Sequence, residues 1–378
     1  MRVVPPVDVL RQIGRDAGLD AVGVTTAAPF EAARQVLVAR KAQGLAGGMQ
    51  FTYRNPARST DPNRILEGAR SVVVGARSYQ RQAPPDTIEP GGRVARYAWV
   101  DHYAPLRRAL GSMAAELELQ GWQARVVADD NALVDRAAAA RAGIGWYGKN
   151  CNILLPGAGS WFVLGSVVTD APLAPDAPLA DGCGSCQRCL PACPTGALTA
   201  PGVLDARRCL AWLVQAPGVF PFEHRVALGD RLYGCDDCQE ACPPNRRSAR
   251  RAVPGPEAGS QVLVDVLELL TLDDEEILAR HGRWYIPRRD PVYLRRNALI
   301  ILGNIGTPGH RLVAAALSRA LVDPEALLRA HAVWACARLG DLALLGPVTQ
   351  DDHPWVRHEL DRLAEVPRRD AAGPEMTV

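Results

Sequence analysis

The chain has almost no net charge and no long apolar run, and both absences narrow what it can be. Its 43 Lys+Arg stand against 41 Asp+Glu, a formal net charge of +2, so no global attraction to polyanions follows. No uninterrupted apolar stretch reaches membrane-spanning length. The opening residues, Met1-Arg-Val-Val-Pro-Pro-Val-Asp8, lack the apolar segment of a secretory signal. A cytoplasmic, reducing location with no membrane partner is therefore expected. Nucleotide-binding fingerprints are missing too. The glycine-rich stretch Gly143-Ile-Gly-Trp-Tyr-Gly-Lys-Asn150 matches neither a P-loop nor a dinucleotide motif. A tight turn is its plainer explanation, and backbone in close approach to a large flat ligand is the other.

What is present is cysteine. Ten occur in 378 residues, unexpected for a disulfide protein in a reducing compartment. Cys183-Gly-Ser-Cys186-Gln-Arg-Cys189-Leu-Pro-Ala-Cys193-Pro194 is the run that holds [4Fe–4S] clusters in bacterial ferredoxins. A shortened run, Cys235-Asp-Asp-Cys238-Gln-Glu-Ala-Cys242-Pro243, lacks one leading cysteine, and Cys209 between the runs replaces it. Close spacing lets a loop aim successive sulfurs at different corners of one cube. The proline-marked last cysteine of each run crosses to the other cluster. Cys183, Cys186, Cys189 and Cys242 are thus expected at one cluster, and Cys193, Cys209, Cys235 and Cys238 at the second. Structural zinc and disulfides are the alternatives, but the full ferredoxin run is far more specific than a lone C-x2-C pair. The remaining thiols are Cys336, in an apolar helix and expected in the core, and Cys151, which follows the glycine stretch and is placed to face a ligand.

A hydrophobic fraction of 48% supports real cores, and the length supports two or three domains. Residues 1–175 alternate helix and strand. Helices are expected over Val7–Ala17, Glu31–Gln43, Tyr103–Gln120 and Asp135–Ala142. Strands are expected over Ala21–Thr26, Ser71–Tyr79, Ala124–Ala128 and Trp161–Val168. Alternation of this kind argues for an α/β layer architecture. Proline-rich Pro172–Pro178 marks a boundary, and Arg246–Arg251 with Pro254-Gly-Pro256 marks another. Between them, 176–250 forms a ferredoxin-like two-cluster domain. From 256 to 368 the chain repeats itself. Arg296-Asn-Ala-Leu-Ile-Ile-Leu-Gly-Asn-Ile-Gly306 resembles Arg329-Ala-His-Ala-Val-Trp-Ala-Cys-Ala-Arg-Leu-Gly340, and a third copy begins near Val356. All-α, HEAT-like helix pairs are expected there, serving as a docking surface. Residues 369–378 are expected to be an unstructured tail.

Outside the clusters, Asp129-Asp130-Asn131 follows a strand, and strand carboxyl ends are where ligands bind in α/β sheets. A carboxyl there acts as a general acid if burial raises its pKa. A helix N-cap is the plainer role. The arginines at 246, 247, 250 and 251, with Arg288, Arg289, Arg295 and Arg296, are the best nucleic-acid candidates, although a solvated loop explains such runs equally well.

Taken together, these motifs resemble the epoxyqueuosine reductase family of tRNA-modifying enzymes. The resemblance rests on Cys183–Pro194 with Thr195-Gly-Ala-Leu198, on Cys209, and on Leu232-Tyr-Gly-Cys-Asp-Asp-Cys-Gln239. It rests also on Asp135-Arg-Ala137 and Ala142–Asn150. It implies an oxidoreductase that holds cobalamin and two [4Fe–4S] clusters. Such an enzyme reduces the epoxide of epoxyqueuosine at the wobble position of tRNA, the last step of queuosine formation. It implies Asp129 as general acid. It also places Arg58, Arg96, Asp129, Asn150, Ile153, Leu164 and Gln215 around the cobalamin, in the α/β segment and beside the clusters. Partners would be tRNA and a low-potential electron donor such as a flavodoxin or ferredoxin, with the chain a monomer. One departure stands out: Trp99-Val-Asp-His-Tyr103 is a residue shorter than the family's stretch and reorders its aromatics. Two further readings share the clusters: a reductive dehalogenase-like cobalamin enzyme, and a non-enzymatic electron carrier or scaffold. An α/β segment of about 175 residues exceeds what a carrier needs.

Overall fold

The computed structural model describes residues 2–82 and 88–369. Of the expected tail, Arg369 is described, its backbone N–H donating to the Arg338 carbonyl at 2.8 Å; 370–378 lie outside the described residues. The chain divides into two compact units, each assembled from separated segments. The first is Met1–Ala83, Trp99–Cys209 and Asp236–Ser260; the second is Pro84–Ala98, Leu210–Cys235 and Gln261–Val378.

A four-stranded sheet forms the centre of the first unit. Its order is Ala21–Thr26, Ser71–Ser78, Phe162–Thr169, Ala124–Ala128. Ser71–Ser78 lies between two neighbours, so both its edges are paired. Its β-branched run Val72, Val73 and Val74 is fully buried, as a central strand requires. One face receives the helix Tyr103–Leu119 through Leu106, Leu110, Met113 and Leu117. That helix approaches closely because Gly75 and Gly165 leave the sheet bare: a Cβ on either would meet Leu19 or Leu110 within 2.8 Å. The other face, Val72, Val74 and Ala76, packs with Val127 and with Ala137, Ala138 and Ala139 of the helix Asp135–Arg141.

Helix–sheet layering follows the sequence, but every strand pairing in this sheet is antiparallel. The rule that ligands gather at the carboxyl ends of parallel strands therefore does not place Asp129. The proline-rich segment is also no free linker. The Asp176 N–H donates to the Val24 carbonyl at 2.9 Å, and its carboxylate accepts from the Val24 N–H at 2.8 Å. The segment runs along the edge of the first strand.

In the second unit, Gly91–Val94 lies between Arg231–Tyr233 and Leu263–Asp265. The helices Val292–Ile305 and Ala326–Leu339 pack together, and Pro354–Asp361 packs on the latter. They bury Leu299, Ile300, Ile301, Leu302 and Trp334. Cys336 is fully buried here, its thiol pushed up to about 12 by burial and by Asp341. Arg311–Ala320 follows the first repeat as a second helix, but Leu342–Val348, interrupted by Pro347, is only a 3₁₀ helix.

The expectation that Arg296 meets nucleic acid is wrong. Its side chain is fully buried and donates to the carbonyls of Ala216, Gly218, Leu213 and Val214 at 2.7–3.3 Å. An arginine run reads alike in sequence whether carbonyls or water satisfy it. Arg295 is engaged by Asp274 at 2.5 Å. Arg288 donates to the Tyr293 hydroxyl at 2.7 Å and Arg289 to the Gly282 carbonyl at 3.0 Å.

Candidate active site

The carboxylate at the end of the Ala124–Ala128 strand sits on a strained turn. Asp129 has φ 55, one of few non-glycine residues in the left-handed region, a conformation that persists only where surroundings impose it. Those surroundings are visible. Arg107 donates to the Ala128 carbonyl at 3.0 Å, the Ser59 hydroxyl to the Asn131 carbonyl at 2.7 Å, and Asp130 accepts from the Ala132 N–H at 2.8 Å. The N-cap explanation for Asp129 falls away. The following helix begins after Val134, with no side-chain cap. Asp130 is spent closing the loop, whereas the Asp129 carboxylate makes no hydrogen bond among the described residues.

Asp129 meets water on one side, yet protein crowds it from below. Burial raises its pKa, Arg107 opposes, and Asp101 and Asp130 raise it further. Six residues on, burial holds Asp135 well above the carboxylate range, with Asp129 adding to the rise and Arg136 opposing it. Tyr103 is raised by burial and by both of these carboxylates. Tyr147 reaches about 12 through burial, against Arg136 and Arg40, with Cys151 and Asp135 adding to it. These side chains therefore feel one another's charge, although Tyr147 is itself 49% exposed. In sequence, Asp135 and Arg136 enter only through the motif Asp135-Arg-Ala137, Tyr103 reads as a packed polar aromatic of Asp101-His102-Tyr103, and Arg107 carries no signal of its own.

The glycine stretch takes the plainer of its two explanations. Trp146–Tyr147 pairs with Ile153–Leu154, and a Cβ on Gly145 or Gly148 would strike Leu154 within 2.4 Å. What these glycines approach closely is the protein's own hairpin. Cys151 closes that hairpin with φ 66. It is half-buried, and burial raises its thiol against Arg40 and Arg136.

The ferredoxin-like run places its thiols as loops. Cys183, Cys186, Cys189 and Cys242 carry no disulfide. Cys242 is far away in sequence, yet its thiol feels the charge of the other three. Burial first, and then Cys183, Cys189 and Cys186, lift its thiol to about 11, opposed by the backbone at Asn245. A buried amide network holds the helix bearing Cys242. Asn245 Nδ2 donates to the Gln239 carbonyl and to the Ser160 hydroxyl, at 2.8 and 2.9 Å. The Ser160 N–H donates to Asn245 Oδ1 at 2.7 Å. Burial raises the Cys193 thiol, but bonds from Thr195 and from backbone N–H groups outweigh it and leave the pKa lowered. Among the described residues, no three His, Cys, Asp or Glu converge as a single-ion site.

Known proteins match this chain along nearly its whole length. The family model "4Fe-4S double cluster binding domain" matches residues 182–245. The model "Epoxyqueuosine reductase QueG, DUF1730" matches 59–130, ending on the strained turn. An epoxyqueuosine reductase of Bacillus anthracis is 33% identical over 365 residues, 92% of this chain and 94% of that one. The chain belongs to the epoxyqueuosine reductase family. Two solved family structures agree in fold. An epoxyqueuosine reductase bound to an epoxyqueuosine-modified tRNA-Tyr stem loop superposes with TM-score 0.84 at 30% identity, over 95% of this chain and 98% of that one. The Bacillus subtilis enzyme, with an aspartate catalytic loop swung out of its active site, superposes with TM-score 0.86 at 29% identity, over 96% and 99%. Like its family, this chain is an oxidoreductase with a double-cluster segment.

The residues expected around cobalamin divide unevenly. In the first unit, Arg58 is exposed and its guanidinium has no partner among the described residues; Leu164 is partly exposed. Ile153 is buried in the apolar cluster. Asn150 is 5% exposed, its amide donating to the Cys238 carbonyl at 3.4 Å and accepting from the Asn152 N–H at 3.2 Å. In the second unit, Gln215 donates to the Tyr97 hydroxyl, next to Arg96, at 3.2 Å.

Proposed function

We propose that this chain reduces the epoxide of epoxyqueuosine in tRNA, giving queuosine, with Asp129 as general acid. The observation that carries the assignment of Asp129 is its carboxylate: raised in pKa, without a partner among the described residues, and exposed on a loop anchored at the Ala128 and Asn131 carbonyls and at Asp130. A proton held above the ordinary carboxylate range is what an acid needs near neutral pH. The family's tRNA-bound structure and the double-cluster segment support the substrate and the electron supply.

Electrons would enter through two [4Fe–4S] clusters, one held by Cys183, Cys186, Cys189 and Cys242, the other by Cys193, Cys209, Cys235 and Cys238. The proximity of Cys242 to the first three thiols supports the crossed pattern. Cobalamin fits the residues present in part. A corrin rim presents amides and a phosphate, and Arg58 offers them an unengaged guanidinium. Leu164 keeps apolar surface; Ile153 and Asn150 act behind it, and Arg96 and Gln215 complete the set. When bound, cobalt supplies a two-electron reductant for carbon–oxygen cleavage. The protein's own part is to place the epoxide oxygen over Asp129 and deliver protons to it. The arginines at 246, 247, 250 and 251, exposed and without side-chain partners among the described residues, would meet tRNA phosphates. Contacts to an unstacked wobble base fit the single-strand mode of RNA reading. On this reading segment 1–175 holds cobalamin and carries out catalysis, 176–250 relays electrons, and 256–368 supplies HEAT-like docking. A flavodoxin- or ferredoxin-type donor, a monomeric state and a cytoplasmic location complete it.

The test is anaerobic reconstitution with iron, sulfide and cobalamin, followed by mass analysis of nucleosides from epoxyqueuosine-containing tRNA. Cobalamin-dependent loss of one oxygen from that nucleoside is expected. An unchanged nucleoside, with clusters and cobalamin bound, would reject the substrate.

A further inference from the structure

Removing one epoxide oxygen as water takes more protons than one carboxyl holds. The balance is epoxide plus two electrons plus two protons, giving an alkene and water. One carbon–oxygen bond opens as the oxygen takes its first proton. The second breaks as the resulting hydroxyl takes another and leaves as water. The electrons come from the reduced clusters of the activity proposed above. Asp129 is solvent-exposed in the free chain and carries one proton at a time, so once bound substrate covers its open side it must be reloaded between the two deliveries.

A second carboxyl, six residues on, feels the Asp129 charge and makes no hydrogen bond among the described residues. Asp135 opens the helix Asp135–Arg141 but does not cap it; the residue before it is Val134, and no side-chain cap bond is made. Its Oδ1 is buried and has no hydrogen-bond partner among the described residues. A buried carboxylate oxygen left without a donor is costly, whereas the same group as a neutral acid is tolerated. The groups that face it are Asp129, Arg136 and Asp130, together with Tyr103 and Tyr147, which feel its charge in turn. Two neighbouring carboxylates oppose ionisation and a single guanidinium favours it. Burial adds the largest share on the neutral side.

We propose that Asp135 is the proton reserve of this site, reloading Asp129 between the two proton deliveries of each turnover. Asp135 thus acts through Asp129 as a positioning and relay residue and need not touch substrate. The inference rests on the reductase reading given above.

The experiment compares wild type, Asp135→Asn, Asp135→Glu and Asp129→Asn, each reconstituted with both clusters. Infrared difference spectra without substrate read the carboxyl directly. At neutral pH a protonated carboxylic-acid band should be present in wild type and in Asp129→Asn, and absent in Asp135→Asn. In turnover, Asp135→Asn should lower kcat about tenfold or more, the lower end of general acid–base effects. Its loss should grow as pH rises, with KM for tRNA unchanged and activity restored by Asp135→Glu. A kcat–pH profile of Asp135→Asn that overlays wild type would overturn the proposal, as would an acid band that survives in that variant. If Asp135→Asn does not fold, the Asp129→Asn spectrum decides alone: no acid band at neutral pH overturns the proposal. Wild type that leaves epoxyqueuosine intact would instead bring down the reductase reading.

Discussion

Two regions of this molecule bury polar groups, and they do so in opposite ways. In the second unit Arg225 is fully buried and donates to both oxygens of Glu359 at 2.8 and 2.6 Å, and to the Phe220 carbonyl at 3.1 Å. Arg296 is surrounded by carbonyls, and buried His331 joins the Leu327 carbonyl and the Phe220 N–H at 2.7 and 3.2 Å. In the first unit the loop Asp129–Asp135 leaves one carboxylate without a partner and one carboxyl oxygen buried alone, among the described residues. Satisfied networks fix a unique packing. Groups left unsatisfied at a strained backbone mark the place where chemistry is expected. The second unit also has buried oxygens without a partner among the described residues, Asn304 Oδ1 and Asp341 Oδ2; what sets the loop apart is that its unsatisfied carboxyls coincide with strained backbone.

If that distinction is right, breaking the satisfied network should cost stability. Glu359→Ala strands the Arg225 guanidinium and should lower unfolding free energy by ~3–5 kcal/mol. Glu359→Gln, which keeps an acceptor, should lose less. Urea melts would measure both, and near-equal stability of Glu359→Ala and wild type would erase the contrast.

The arginines offer the same contrast in binding. Neutralising the four at 246, 247, 250 and 251 should leave the fold intact and weaken tRNA binding about tenfold. The slope of log affinity against log salt should fall by roughly 0.7 for each phosphate that is no longer neutralised. An unchanged slope in filter-binding assays would move the tRNA surface elsewhere.

Acid should strain the second unit through its histidines. Burial first, and then Arg225, holds His331 well below its usual pKa, and burial with Arg283 and Arg280 lowers His281 to about 4. A histidine depressed in the folded state contributes stability above its unfolded pKa of about 6.5, lost as pH falls through the folded value. Stability should therefore decline below pH ~6.5, by on the order of 2 kcal/mol for each histidine near pH 5. His331→Gln should flatten the curve; a pH-independent melt between these values would contradict the assignment.

The smallest effect belongs to Asp130. Asp130→Ala removes one loop bond, worth ~0.5–1 kcal/mol, and turnover should stay within a few-fold of wild type. A loss as large as that for Asp129 would show that the wrong carboxylate has been chosen.

Legibility followed the range of the interaction. The cluster run could be read because its spacing is local, and the strands Ala21–Thr26 and Ala124–Ala128 because β-branched runs are local too. Antiparallel order could not be read, since pairing Val73 with Val167 depends on residues far apart along the chain. Pro172–Pro178 looked like a boundary because proline breaks helices; its bonds to Val24 are a tertiary fact. Asp129 was found by resemblance and by its place after a strand. Asp135 was passed over because a carboxylate at a helix start ordinarily has a capping role, which only the missing bond denies.

The most direct measurement is nucleoside mass analysis after turnover by Asp129→Asn, with both clusters and cobalamin bound. The raised pKa of Asp129 makes its ionised form a cost to the fold above the ordinary carboxylate range, so the asparagine variant should be at least as stable as wild type. Conversion of epoxyqueuosine to queuosine should fall by ~10²–10⁴-fold at unchanged cluster content. Conversion at the wild-type rate would contradict the claim that the unpartnered carboxylate on the strained turn is the acid.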